Sequence, residues 1–169
     1  LNTARLFKYA IQWFVLVGLQ VLLLKDFALF NTSYCFAYVG AFLLLPFQVS
    51  VVAGMIIAFL SGFLVDVFYD TLGMHAAASV LVAYLRGPLQ KALTPAGGYE
   101  EYMEPTLPSM GVQWYLFYVV PLVLVHGCLL LGLEYLNASM VPLAMLKGLA
   151  SVPFTLLMVA LVQNVLVPR

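Results

Sequence analysis

Apolar residues fall into six runs along the chain, and the runs predict helices over 9–25, 33–47, 49–70, 74–90, 112–136 and 141–165. Runs of about 20 apolar residues suit a helix crossing a bilayer, whereas the strands of a barrel alternate every second residue. The second run is short, since at 1.5 Å per residue its 15 residues reach only about 22 Å against a hydrocarbon core of about 30 Å. Its helix is therefore expected to start nearer Phe27, to tilt or to be partly unwound. Pro46 ends it and leaves a tight turn at Pro46-Phe47-Gln48. A re-entrant second run would reduce six crossings to five and put the termini on opposite sides. Pro121 and Pro153 lie inside the fifth and sixth runs, where kinks are expected.

The chain is organised around 54–87, two apolar limbs joined at Asp70-Thr71-Leu72-Gly73. Small residues recur every fourth position on both limbs: Gly54, Ala58 and Gly62, then Ser79, Ala83 and Gly87. Four residues advance a helix by about 400°, so each set forms a stripe along one face. In lipid such stripes let two backbones pack closely. Gly73 suits a left-handed position after a helix end, and Thr71 is a candidate cap for the next helix.

Only 8% of the residues are charged, 64% are hydrophobic, and the mean hydropathy is +1.06. Soluble domains carry about 25% charged residues, so this chain cannot cover itself with a polar surface. An all-α integral membrane bundle of six transmembrane helices is the fold expected, as one domain over 1–169. Arg5 and Lys8 precede the first run and no small-x-small cleavage site follows it, so an uncleaved first helix is expected. Formal net charge is zero, which leaves nucleic acid without an electrostatic attraction. Five of the seven basic residues (Arg5, Lys8, Arg86, Lys91 and Arg169) fall on the side of the termini, against Lys25 and Lys147. The positive-inside rule then places both termini in the cytoplasm.

Candidate chemistry is sparse. Asp66 and Asp70 continue the first stripe by four and eight residues. In one reading both aspartates sit at headgroup depth and cap the turn; in the other Asp66 fixes the hairpin internally or bonds a partner helix, with His75, the amides opening the fourth helix and Lys147 as its candidate partners. His126 lies mid-helix, where a neutral imidazole bonded to a backbone group or a hydroxyl is expected. Glu134 and Lys147 flank the outer turn at Asn137-Ala138-Ser139 and suit an interfacial ion pair. The polar segment 87–111 is read as a cytoplasmic loop with Glu100, Glu101 and Glu104 on a solvated face. Cys35 and Cys128 lie in apolar runs, which points to inert thiols. No GxSxG, HExxH, CxxC or phosphate-loop motif is present. No catalytic, metal or cofactor site is therefore expected.

The residues Gly62-Phe63-Leu64-Val65-Asp66 followed by Leu72-Gly73-Met74-His75-Ala76-Ala77-Ala78 resemble MreD, the rod shape-determining family. Gly98-Tyr99-Glu100 and Pro105-Thr106, with Gly111 and Trp114 beyond, are similar to MreD sequences of the Bacteroidetes type. The specific part of the resemblance is about 25 residues long. It implies a non-enzymatic scaffold of cell elongation in the bacterial cytoplasmic membrane. The implied partners are the single-span MreC, the RodA/penicillin-binding-protein synthase of peptidoglycan and the actin-like MreB. It also implies a fold similar to the S components of energy-coupling-factor transporters, and so an alternative function as a vitamin-binding transporter subunit. Helix one lacks the alanine stripe by which those subunits dock, and a pocket for a charged vitamin is underprovided with polar groups.

Overall fold

Helix α3 (Val51–Tyr69) turns its small and polar positions inward. Gly54, Ala58, Ser61, Gly62, Val65 and Asp66 are buried, while Val52, Ile56, Phe59, Phe63 and Val67 are exposed. A helix in water does the reverse, so large apolar side chains facing outward mark a surface made for lipid. The computed structural model describes residues 3–25, 27–29, 32–101, 103–134 and 141–166. Its other long helices are α1 (Thr3–Leu22), α4 (Met74–Ala92), α5 (Leu107–Glu134) and α6 (Val141–Leu166). Four segments, 5–22, 51–69, 107–134 and 141–163, are long and apolar enough to span a membrane. The protein is thus a mostly helical, multi-pass membrane protein. Helix α4 falls short of that apolar test because His75, Ser79, Arg86 and Gln90 are polar, and all four are buried.

The α3–α4 hairpin is packed backbone to backbone. A Cβ built on Gly62 would lie 2.5 Å from the His75 carbonyl oxygen and 2.6 Å from the Ala76 Cα, so only glycine fits. At the far end of the hairpin a Cβ on Gly87 would lie 3.2 Å from Val51. Between these points Ala58, Ser79 and Ala83 are buried along the seam, as is Gly54. The turn differs in detail from the expectation. Asp70 (φ 58°) is the left-handed residue that ends α3, and Gly73 (φ 88°) instead stands at the start of α4. Thr71 does not cap α4, because its hydroxyl is directed to Asp66.

The second run is not a spanning helix. Ser33–Tyr34 (β2) pairs antiparallel with Ala28–Leu29 (β1); a 3₁₀ turn follows at Ala37–Val39 and one α-helical turn at Gly40–Leu43 (α2). Every residue from 35 to 46 is buried. The segment nevertheless runs the length of the bundle. At its start Tyr34 lines a cavity with Thr71 and Met74 of the hairpin turn and with Glu134 at the end of α5, and at its end Phe47 stacks on Tyr99 (ring centroids 4.0 Å) beside the beginning of α5. A pure helix of this length is too short for a bilayer core, but adding extended residues at about 3.3 Å each brings the reach near 30 Å. Tyr38, Phe42, Leu43 and Leu44 from this segment are among the largest fully buried side chains, so the core is built around it.

Helix α4 continues through Pro88 to Ala92, past its expected end at 90, which leaves 93–106 as the loop in place of 87–111. Gly111 (φ 79°) breaks the path of α5, and the continuous helix resumes at Val112. Helices α5 and α6 cross where a Cβ on Gly127 would stand 3.5 Å from the Gly148 Cα. The turn at 137–139 and the predicted end of the fifth helix at 136 lie outside the described residues.

Candidate functional site

A backbone that leaves helical geometry inside an apolar bundle must find hydrogen-bond partners there, since lipid offers none. Side chains from the surrounding helices supply them to the buried segment. From α1, Gln20 donates to the Cys35 carbonyl (3.0 Å) and accepts from the Tyr38 N–H (3.4 Å). From α6, Thr155 accepts from the Phe36 N–H (3.0 Å). From α5, the Tyr118 hydroxyl donates to the Leu43 carbonyl (2.8 Å). From α4, Arg86 donates through Nη2 to the carbonyls of Leu45 and Pro46, the latter at 2.8 Å, and through Nε to Tyr118 (3.1 Å). Gln90 meets these donors when its amide oxygen faces the guanidinium, 3.2 Å from Nε.

Arg86 is therefore not a loop charge. Its side chain is buried (3% exposed), and it leaves the count of basic residues that orient the chain. The sequence held a signal for it: Ser79, Ala83, Arg86 and Gln90 recur at three- and four-residue steps on one face of α4. An ionisable residue on the inward face of a membrane helix needs internal partners.

At the hairpin end, Asp66 is internal and acts as a cap for a helix other than its own. One carboxylate oxygen accepts from the His75 N–H (3.0 Å) and the Thr71 hydroxyl (2.6 Å), and the other accepts from the Ala76 N–H (2.9 Å). These amides open α4, whose own N-cap residue, Gly73, has no side chain to offer. A negative charge there also meets the favourable end of the helix dipole. His75 Nδ1 lies 3.1 Å from the same carboxylate and 3.0 Å from Thr71. Asp70 is exposed and contributes only its left-handed backbone. Lys147 places its ammonium 5.6 Å from the Tyr34 ring centroid.

His126 is fully buried and its Nε2 lies 2.6 Å from the Tyr38 hydroxyl, which in turn accepts from Ser79 (3.3 Å). This chain ties α5, the buried segment and α4 together at mid-depth. Ser79, read from the sequence as a packing residue, thus also bonds. Among the described residues no group of three or more His, Cys, Asp or Glu is arranged to hold a metal ion. Cys35 is buried, Cys128 is partly buried, and both are free thiols.

At the other end of the bundle the loop is anchored: Glu100 and Glu101 are exposed, as a solvated face requires, but Glu104 is not. Glu104 pairs with Lys8 (2.7 Å) and accepts from the Tyr9 hydroxyl (2.6 Å). The Glu101 carbonyl accepts from Gln48 (3.1 Å). Tyr99 bonds the Gln90 carbonyl (2.7 Å), and burial raises the pKa of its hydroxyl.

One lateral feature remains. Helices α1 and α3 touch where Trp13 donates to Ser61 (2.7 Å) and Gln20 to Tyr69 (2.7 Å). Nearer the loop end a cleft of about 420 Å³ separates them, walled by Leu6, Ala10 and Phe14 of α1 and by Ala53, Ile57 and Leu60 of α3. Leu45, Pro46 and Val49 also line it. Comparison of the chain with protein-family models, curated proteins and solved structures returned no match.

Proposed function

We propose that the chain is an MreD-like, non-enzymatic scaffold in the bacterial cytoplasmic membrane. In this reading it holds the transmembrane helix of an MreC-like partner and helps couple the RodA/penicillin-binding-protein synthase to the MreB cytoskeleton. The observation that carries the reading is the α1–α3 cleft, an apolar groove open on the flank of the bundle. The internal polar groups support it, because Gln20, Asp66, Arg86 and Tyr118 are engaged in holding the fold. In lipid a groove recruits a helix through close packing rather than through the hydrophobic drive of water.

The topology proposed has six crossings, the second made by the buried segment, with both termini in the cytoplasm. The loop end carries Arg5, Lys8 and Lys91 against Lys25 and Lys147 at the hairpin end, which supports the loop end as cytoplasmic.

Co-purification with a tagged MreC-like protein tests the reading. The pair Ala10→Trp and Ala53→Trp fills the cleft from both walls, and should cut recovered partner at least about tenfold, the effect of roughly 1.4 kcal/mol, with the yield of the chain unchanged. Unaltered recovery contradicts the cleft as the docking surface. Absence of any complex, together with a vitamin that raises the Tm, contradicts the scaffold and favours the transporter-subunit alternative.

A further inference from the structure

A second cavity, of about 330 Å³, lies at the loop end between the start of α3 and the last turns of α4. Gln48, Ser50, Val51, Arg86, Gly87, Gln90, Lys91, Thr94 and Tyr99 are on its wall, and no acidic side chain is among the residues that line it. Both of its charged groups are therefore cations. Arg86 is 3% exposed, and its Nε and Nη2 are occupied by Tyr118 and by the Leu45 and Pro46 carbonyls. Its Nη1 has no hydrogen-bond partner among the described residues and points toward the first turn of α3, 4.0 Å from a Cβ built on Gly54. Lys91 is exposed on the last turn of α4 and forms no ion pair among the described residues.

The third contributor is the α3 N-terminus. Ser50 uses its hydroxyl to cap the Ala53 N–H (3.2 Å), and its carbonyl accepts from Gly54. The amides of Val51 and Val52 precede the first intrahelical bond and have no carbonyl within the helix to reach. One free nitrogen of a buried guanidinium, an ammonium and a helix N-terminus around one acid-free cavity supply the donors and the charge that a phosphate oxyanion takes. Val51 on its wall is 42% exposed and, with Val52 at 67%, begins the lipid-facing surface of α3. Acyl chains attached to that phosphate would continue down this surface.

We propose that this cavity binds the phosphodiester of an anionic phospholipid headgroup. Basic pockets between membrane helices at the cytoplasmic boundary recognise such headgroups by the same chemistry. The inference does not depend on the MreC reading, because none of the residues it uses lines the α1–α3 cleft; the two cavities share only Val49 at their edge.

The test titrates the full chain in neutral detergent with short-chain phosphatidylglycerol, with phosphatidylcholine of equal chain length and with inorganic phosphate, reading the Tm. Phosphatidylglycerol should raise the Tm at concentrations at least about tenfold below those needed for the other two. Equal potency of phosphatidylcholine would overturn the site, and equal potency of inorganic phosphate would overturn the lipid as its source. Arg86 also holds the fold, so the variants used are Lys91→Glu and Ser50→Asp. The second retains a capping oxygen for Ala53 but puts a carboxylate in the cavity. Each should weaken the phosphatidylglycerol response at least about tenfold with little change in the lipid-free Tm. A response unchanged in both variants would overturn the proposal.

Discussion

The α3–α4 hairpin and the buried segment 35–46 solve the same problem in opposite ways. Both are backbone inside an apolar bundle, where every N–H and C=O must be paired. The hairpin pairs its groups within two regular helices, apart from the opening amides of α4 that Asp66 caps, and uses small residues to bring the helices together, down to the contact at Gly62. The segment 35–46 lacks the length to span as a helix, so it is partly unwound; it receives hydrogen bonds from Gln20, Arg86 and Tyr118 and donates one to Thr155. The hairpin is sensitive to added volume and tolerant of lost polarity; the segment should behave the other way round.

Substitutions can break this contrast, and the largest effect is expected at Arg86. Arg86→Met strands the Leu45 and Pro46 carbonyls in the core. At about 1–3 kcal/mol for each unsatisfied group, a loss of about 4 kcal/mol is expected in reversible unfolding of the detergent-solubilised chain. Gly62→Ala comes next, since its methyl would meet the α4 backbone, which has no rotamer by which to yield. Overpacking of this kind costs about 3 kcal/mol, and the same assay should show it. Gln20→Leu removes one donor and one acceptor from the segment and should cost about 2 kcal/mol.

Asp66→Asn keeps the shape but loses the charge and turns its NH₂ toward one of the two amide donors, His75 or Ala76. It should cost about 1 kcal/mol, read as a small fall in Tm. Smallest is Lys8→Ala, which breaks a part-exposed ion pair worth about 0.5 kcal/mol and should barely move the Tm. If Gln20→Leu proved neutral while Asp66→Asn unfolded the chain, the contrast between the two regions would be reversed.

The hairpin was legible in the sequence because it is local. A four-residue recurrence of small side chains and a turn-forming tetrapeptide both lie within 54–87, and they place Gly62 and Ser79 on facing sides. The internal role of Asp66 was one of two readings, and its partners were within ten residues along the chain. The path of 33–47 was not legible beyond its shortness. What holds it comes from residues far away in sequence, such as Thr155, which is 119 residues from Phe36. Arg86 was misassigned for a related reason. It lies within the predicted fourth helix but beside the loop, which counts it with the cytoplasmic charges, whereas the groups that hold it inside, Tyr118, Leu45 and Pro46, are 32, 41 and 40 residues away along the chain. The crossing of α5 and α6 at Gly127 and Gly148 is hard to read because only one side carries a small-residue pair, Ala144 and Gly148, while Gly127 has Val123 and Leu131 four residues away on either side.

The central claim is that a buried, largely non-helical segment carries the chain from one end of the bundle to the other. It is tested most directly by labelling from each side of the membrane with an impermeant maleimide. The chain for this carries Cys35→Ala and Cys128→Ala, with either Thr32→Cys or Gln48→Cys added. The account predicts that the two added thiols react from opposite faces, position 48 from the cytoplasm. Reaction of both from the same face would show a re-entrant loop and contradict it.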